Sequence, residues 1–131
     1  MKKEKHVVAL LIALALLGTL FAVTRSSKAT PARNSKIRRT ILLNFKSEAT
    51  DADVQKILKD VKETISKLKG IHNLFIGRQT NERAPFKYGI SMDFEDEAAL
   101  KAYRTDQEHR RTHNQYNHLI EQAQITDIVN E

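Results

Sequence analysis

Val54, Ile57, Leu58, Val61, Ile65 and Leu68 recur at the spacing of a single helix face. Thr50 stands before this run with Asp53 three residues on, a weak capping box that predicts where the helix starts. Gly70 stands where a glycine ends a helix. A helix with one apolar stripe has to lay it on something, and the flanking segments alternate. In "IRRTILLNF", Ile37–Phe45, the residues Ile37, Arg39, Ile41, Leu43 and Phe45 share one face, while Arg38, Thr40, Leu42 and Asn44 share the other. The pattern predicts a helix packed on the apolar side of a sheet.

The rest of the chain repeats the theme. "IHNLFIGRQ", Ile71–Gln79, reads as a second strand, "TNERAP" as a polar loop, and "FKYGISMDF" as a third strand. Tyr88, Ile90, Met92 and Phe94 share one face of that third strand; Lys87, Gly89, Ser91 and Asp93 share the other. "EDEAALKAY" opens a helix with acids where the dipole favours them. Thr105 and Glu108 form a second capping box, so a new helical segment begins there, with His109, Thr112 or His113, Tyr116, Leu119 and Ile120 facing inward. "QITDIVN", Gln124–Asn130, closes the chain as a fourth strand. The order β-α-β-β-α-β is that of an α+β, ferredoxin-like unit, with two helices on one sheet face. Thr40, Gly89, Ser91 and Asp93 mark the other face, which the pattern makes solvated.

Charge separates this body from what precedes it. Residues 1–39 hold nine Lys/Arg against one acid, and residues 40–131 hold thirteen against fifteen. The net charge of +6 thus resides in the N-terminal part, and the body lacks the basic face of a nucleic-acid-binding domain. Val7 to Val23 is a charge-free run of 17 residues, preceded by "MKKEKH" and followed by the polar, basic "TRSSKATPARNSK". This is the layout of a secretory signal, with Ser27-Lys28-Ala29 as a cleavage site. An uncleaved membrane anchor is the competing reading, since such a run spans roughly 25 Å as a helix. On either reading residues 1–29 deliver the domain across a membrane, residues 30–36 form a linker, and residues 37–131 form the domain.

The absence of cysteine excludes thiol chemistry and Cys-based metal sites. Tyr103 and His109 are the pair with chemical content. A neutral imidazole accepts a proton, and a phenol steadies a developing oxyanion. The alternative is that Tyr103 packs beneath its helix and His109 helps to start the next one. His109 and His113 stand at i, i+4, but "HRRTH" lacks the Glu of a zinc-protease motif, and neither His72 nor His118 supplies an evident third ligand. No metal or cofactor is expected. Gly77 and Gly89 are single glycines in strands, which permit close approach of backbone.

"IRRTILLNFK", "IGRQ", "FKYGISMDFEDEAALKAY" and the later His109 resemble the stress-responsive A/B barrel (Dabb) domain over about 95 residues, Ile37 to Glu131. The resemblance implies a ferredoxin-like fold that pairs sheet to sheet as a homodimer, closing a dimeric α/β barrel with Thr40 and Ser91 near the interface. Most members are stress-associated without an assigned reaction. A few resemble cofactor-free cyclases of polyketide chains, whose cavity between sheet and helices is lined by a Tyr, a later His and a first-strand His. The Tyr falls on Tyr103 and the later His on His109. Arg39 stands at the first-strand position, and Asp106-Gln107-Glu108-His109 replaces the usual His-Pro-Ala-His run. A pocket here would have Arg39, Ile41, Leu43 and Met92 on its sheet side. The expected function is an exported or membrane-anchored homodimer that binds a small apolar or aromatic ligand or serves a stress-associated structural role. The alternative is a cofactor-independent cyclase or lyase using His109 and Tyr103.

Overall fold

The computed structural model describes residues 35–131. The expected signal or anchor at residues 1–29, and the expected linker up to residue 34, lie outside the described residues. Lys36, expected in the linker, is tied into the sheet: its N–H donates to the Phe94 carbonyl at 3.0 Å and its carbonyl accepts from the Asn130 N–H at 2.8 Å.

The elements are β1 (Ile37–Phe45), α1 (Asp51–Ser66), β2 (Ile71–Arg78), β3 (Tyr88–Phe94), α2 (Glu97–Thr105), α3 (Gln107–Tyr116), a short turn of 3-10 helix (Asn117–Leu119) and β4 (Ile120–Val129). The sheet runs β2-β3-β1-β4 with every neighbouring pair antiparallel. This is the ferredoxin-like α+β architecture.

Local chemistry sets the boundaries. Thr50 caps α1 through the expected box: the Asp53 N–H donates to Thr50 Oγ1 at 3.1 Å, and the Thr50 N–H donates to Asp53 Oδ2 at 2.9 Å. α1 ends earlier than its apolar stripe, at Ser66, with Leu68 following in a turn. Gly70, expected at the helix end, instead steers the chain into β2 with φ +76, a conformation that disfavours any side chain. A Cβ there would lie 2.7 Å from the Ala99 Cβ, so α2 is seated directly against this glycine.

The second helical region differs from its pattern in one respect. It breaks at Asp106, which ends α2 and caps α3, its carboxylate accepting from the His109 N–H at 2.7 Å. The cap is therefore Asp106 and not Thr105, whose hydroxyl is engaged by the Lys101 carbonyl at 2.9 Å. Three helices, not two, cover the sheet. β4 starts at Ile120, before the expected Gln124, so Ile120 opens a strand instead of closing a helix face.

Ile37, Leu43, Val54, Ile65, Tyr88, Ile90, Met92, Phe94, Leu100 and Tyr103 form the core between sheet and helices. The opposite sheet face is open, and one expectation about it fails. Asp93, read as solvated, is buried: Arg38 grips it at 2.7 and 2.9 Å and Asn73 donates to it at 2.8 Å. Asn73, with φ 51, lies within a register shift of β2 that brings its amide to that carboxylate.

A cavity between the sheet and the helices as candidate functional site

α3 carries no aliphatic residue from Gln107 to Tyr116, and only Tyr116 in it is buried. Such a helix cannot fill the space beneath it. Polar ties to α1 hold it in place: Thr64 Oγ1 to Thr112 Oγ1 at 3.2 Å, Lys67 to Glu108 at 2.7 Å, and the Tyr116 hydroxyl between Asp60 and Lys56. A cavity of about 320 Å³ remains between α3 and the sheet. The apolar stripe of α1, through Ile57, Leu58, Val61 and Ile65, forms one wall. Ile41, Leu43 and Phe45 of β1, Ile90 of β3, and Ala123 and Ile125 of β4 form another. The polar side comes from Tyr103 and Arg104 of α2 and from His109, Arg110, Thr112 and His113 of α3, with Arg39 beneath them.

The structure brings Tyr103 and His109 together. Their ring centroids are 4.1 Å apart, at 35° between planes. Phe94 meets Tyr103 edge-on from the core side at 5.4 Å. Burial raises the Tyr103 hydroxyl above the usual phenol range, and the nearby Arg39 partly offsets this. Tyr103 therefore remains a protonated donor. Burial also lowers the His109 ring below its usual value, with His113 and Arg39 acting in the same direction and Asp106 opposing them. His109 is thus held neutral, as a proton acceptor must be.

Arg39, Ile41 and Leu43 lie on the cavity wall. Met92 does not. It is 0% exposed, packed in the apolar cluster with Phe94 and Leu100, and has no surface left to present. His72 is on β2, with its ring 2.7 Å from Glu95, and His118 is in the turn before β4. Among the described residues no group of three or more His, Cys, Asp or Glu could hold a metal.

Asp127 is the residue the sequence reading missed. It faces Arg39 across the β1–β4 ladder and takes both nitrogens of its fork at 2.7 Å. Arg104 reaches the same carboxylate at 3.0 Å. The pair holds Asp127 below the usual carboxylate range and keeps Arg39 charged though only 6% exposed. Arg39 Cζ also lies 5.3 Å from the Tyr103 ring centroid, a cation–π arrangement. The available signal was an acid and a base, each alone on the apolar side of its strand.

These features define a ferredoxin-like domain with an open-mouthed, partly polar cavity under its helices. The model of the stress responsive A/B barrel domain matches residues 37–130, and the chain belongs to that family. No curated protein matches the chain in sequence. Solved structures share the fold. A Dabb family protein with a ferredoxin-like fold from Mesorhizobium loti is 23% identical with a TM-score of 0.67, the match covering 74% of this chain and 98% of that one. A dimeric ferredoxin-like protein of unknown function from Thermobifida fusca is 14% identical with a TM-score of 0.66, covering 73% and 92%. Hydroxynitrile lyase from Passiflora edulis is 12% identical with a TM-score of 0.68, covering 74% and 94%.

Removing the Asp127 carboxylate strands a buried charge on Arg39. Asp127→Ala is expected to cost about 3 kcal/mol in denaturant unfolding, at the low end for a broken buried pair because the carboxylate is 25% exposed. Because the folded pKa of Asp127 is depressed, its contribution is present above the unfolded carboxyl value of about 3.9 and lost as pH falls through the folded one. The variant should therefore lose less stability on acidification than the parent. A cost under about 0.5 kcal/mol would mean the pair does not hold β4 to β1.

Proposed function

We propose that this chain is a homodimeric, small-molecule-binding protein whose ligand occupies the cavity between α3 and the sheet, and that its N-terminal segment exports it or anchors it to a membrane. The cavity carries the reading. Its volume of about 320 Å³ is at the lower bound for small-ligand sites, and it combines aliphatic walls with a few convergent polar groups.

A second reading has its own observation. His109 is held neutral and stacks at 4.1 Å on a Tyr103 that stays protonated. Such a pair suits a cofactor-independent cyclase or lyase: His109 takes a proton from a carbon or hydroxyl acid and Tyr103 donates to the oxyanion that forms. The hydroxynitrile lyase of the same fold is consistent with a lyase version of this reading.

One experiment addresses both. Small aromatic and aliphatic molecules are screened by ligand-observed NMR against the parent, Thr112→Trp and His109→Ala. Thr112 sits half-buried on the cavity wall, so an indole there should fill the space and abolish binding; since the change also removes the Thr64 hydrogen bond, circular dichroism of the variant checks that the fold is retained. Binding that survives Thr112→Trp would place the ligand elsewhere. Turnover of a bound molecule that His109→Ala eliminates while binding persists would favour the enzyme.

Dimerisation is supported by the open sheet face. Phe75 there is 74% exposed and Ile128 60% exposed. Gly77 and Gly89 face each other in register, leaving a shallow depression bordered by Thr40, Phe75 and Ser91. Solved neighbours from Thermobifida fusca and Jannaschia are described as dimeric. Light scattering at high micromolar concentration should give twice the monomer mass for the parent and a monomer for Ser91→Arg. A monomeric parent would rule the dimer out.

Export or anchoring is supported by the charge-free run from Val7 to Val23 and by the basic residues gathered before Thr40. Intact-mass analysis of protein from the native host should find either a species beginning at Thr30 or a full-length species in the membrane fraction. A full-length, freely soluble cytosolic protein would defeat this part of the reading.

A further inference from the structure

The cavity wall is one-sided in charge. Its lining includes Arg39, Arg104 and Arg110 together with His109 and His113, and no carboxylate. Asp127, outside that lining, shares its single negative charge between Arg39 and Arg104. Arg110, exposed at the rim, has no carboxylate partner among the described residues. The opposite wall, from α1 and the sheet, is aliphatic. Low-dielectric walls beneath an uncompensated positive rim concentrate the field on whatever enters.

We propose that the ligand is an amphiphilic anion, with its apolar part against Ile57, Val61 and Ile41 and its charged group at the rim between Arg104 and Arg110. This rests on the small-molecule reading above and narrows it to a chemical class. A neutral apolar guest would cover the same walls but would leave Arg110 without a carboxylate or other anion. An anion supplies the missing partner, and hydrogen bonds to charged groups are the stronger kind.

His109 reports on the difference in sign. Around it are Asp106, Arg110 and His113 of its own helix region, Tyr103 and Arg104 of α2 and Arg39 of β1, with Asp127 of β4 bound to the two arginines. A neutral guest excludes water from the ring and lowers its titration midpoint further. A nearby anion favours the imidazolium and raises it.

The experiment uses hexanesulfonate, which stays anionic across the titration, and hexanol as its neutral counterpart. The domain alone serves, since the described residues 35–131 lie within one compact unit and the match to the Mesorhizobium loti neighbour covers 98% of that chain. Hexanesulfonate is expected to bind about tenfold tighter than hexanol and to raise the His109 midpoint, while hexanol lowers it. Arg110→Gln should remove most of that preference and leave hexanol unchanged. Equal binding of the two probes, or a sulfonate that lowers the midpoint, overturns the anion and leaves the small-molecule reading standing. Binding of neither probe overturns both.

Discussion

A helix without an aliphatic side chain lies over a sheet, and the cavity follows from that constraint. α3 cannot close on β1 and β4 through apolar packing, because Gln107 to Tyr116 offers none. It is held at its edges, by Thr112 on Thr64, Glu108 on Lys67, and Tyr116 between Asp60 and Lys56. Edge ties fix the distance of a helix from the sheet without filling the gap. α1 contrasts with it, its stripe of Val54, Ile57 and Ile65 buried. The core is therefore well packed on the β2–β3 side, where Phe94 and Met92 are fully buried, and hollow towards β4, where Ile125 remains 57% exposed. Apolar surface left beside a void forgoes dispersion contacts, a standing cost to stability.

Arg39 shapes the chemistry of that hollow. It is a cation on the apolar side of β1, and burying it requires a partner. Asp127 supplies one at the cross-strand position, so the pair also pins the register of β4, an edge strand with little buried surface of its own. The guanidinium then has two further effects on the candidate pair. It moderates the rise that burial imposes on Tyr103, and it adds to the lowering of His109. Where the family resemblance implies a histidine, this chain has a permanent positive charge that does not exchange protons. That substitution leaves the imidazoles of His109 and His113 as the proton acceptors on the cavity wall, and of the two it is His109 that stacks on Tyr103.

How much of this was legible depended on the range of the interaction. The strands and α1 followed from alternation and from the spacing of Val54 through Leu68, which are local signals. The break between the last two helices was expected, but its cap was placed one residue early, because Thr105 with Glu108 mimics a capping box in sequence. Only the structure shows the Thr105 hydroxyl turned back on Lys101 and the Asp106 carboxylate taking the His109 N–H. Alternation put Met92 beside Arg39, Ile41 and Leu43 on the pocket, but the structure buries Met92 in the core, because alternation assigns a face but not which part of that face is covered. Asp127 was invisible for a different reason. Its partner is 88 residues away, and nothing local distinguishes a paired acid from a solvated one.

The open face of the sheet shows the same limit from the other side. Alternation made it polar, and by composition it is: Thr40, Ser91, Gln124 and Thr126 all lie there. Yet its buried acid is neutralised within the chain by Arg38 and hydrogen-bonded by Asn73, and two facing glycines lie in the β2–β3 ladder beside an exposed phenylalanine. A surface with its charge internally satisfied, small residues at its centre and Phe75 raised beside them resists hydration less than its composition suggests. Polar composition is no argument against association, because interfaces as a whole are about as polar as the surface around them. What separates a solvated sheet face from one that pairs is whether its polar groups already have partners, and on this face the costliest of them, Asp93, does.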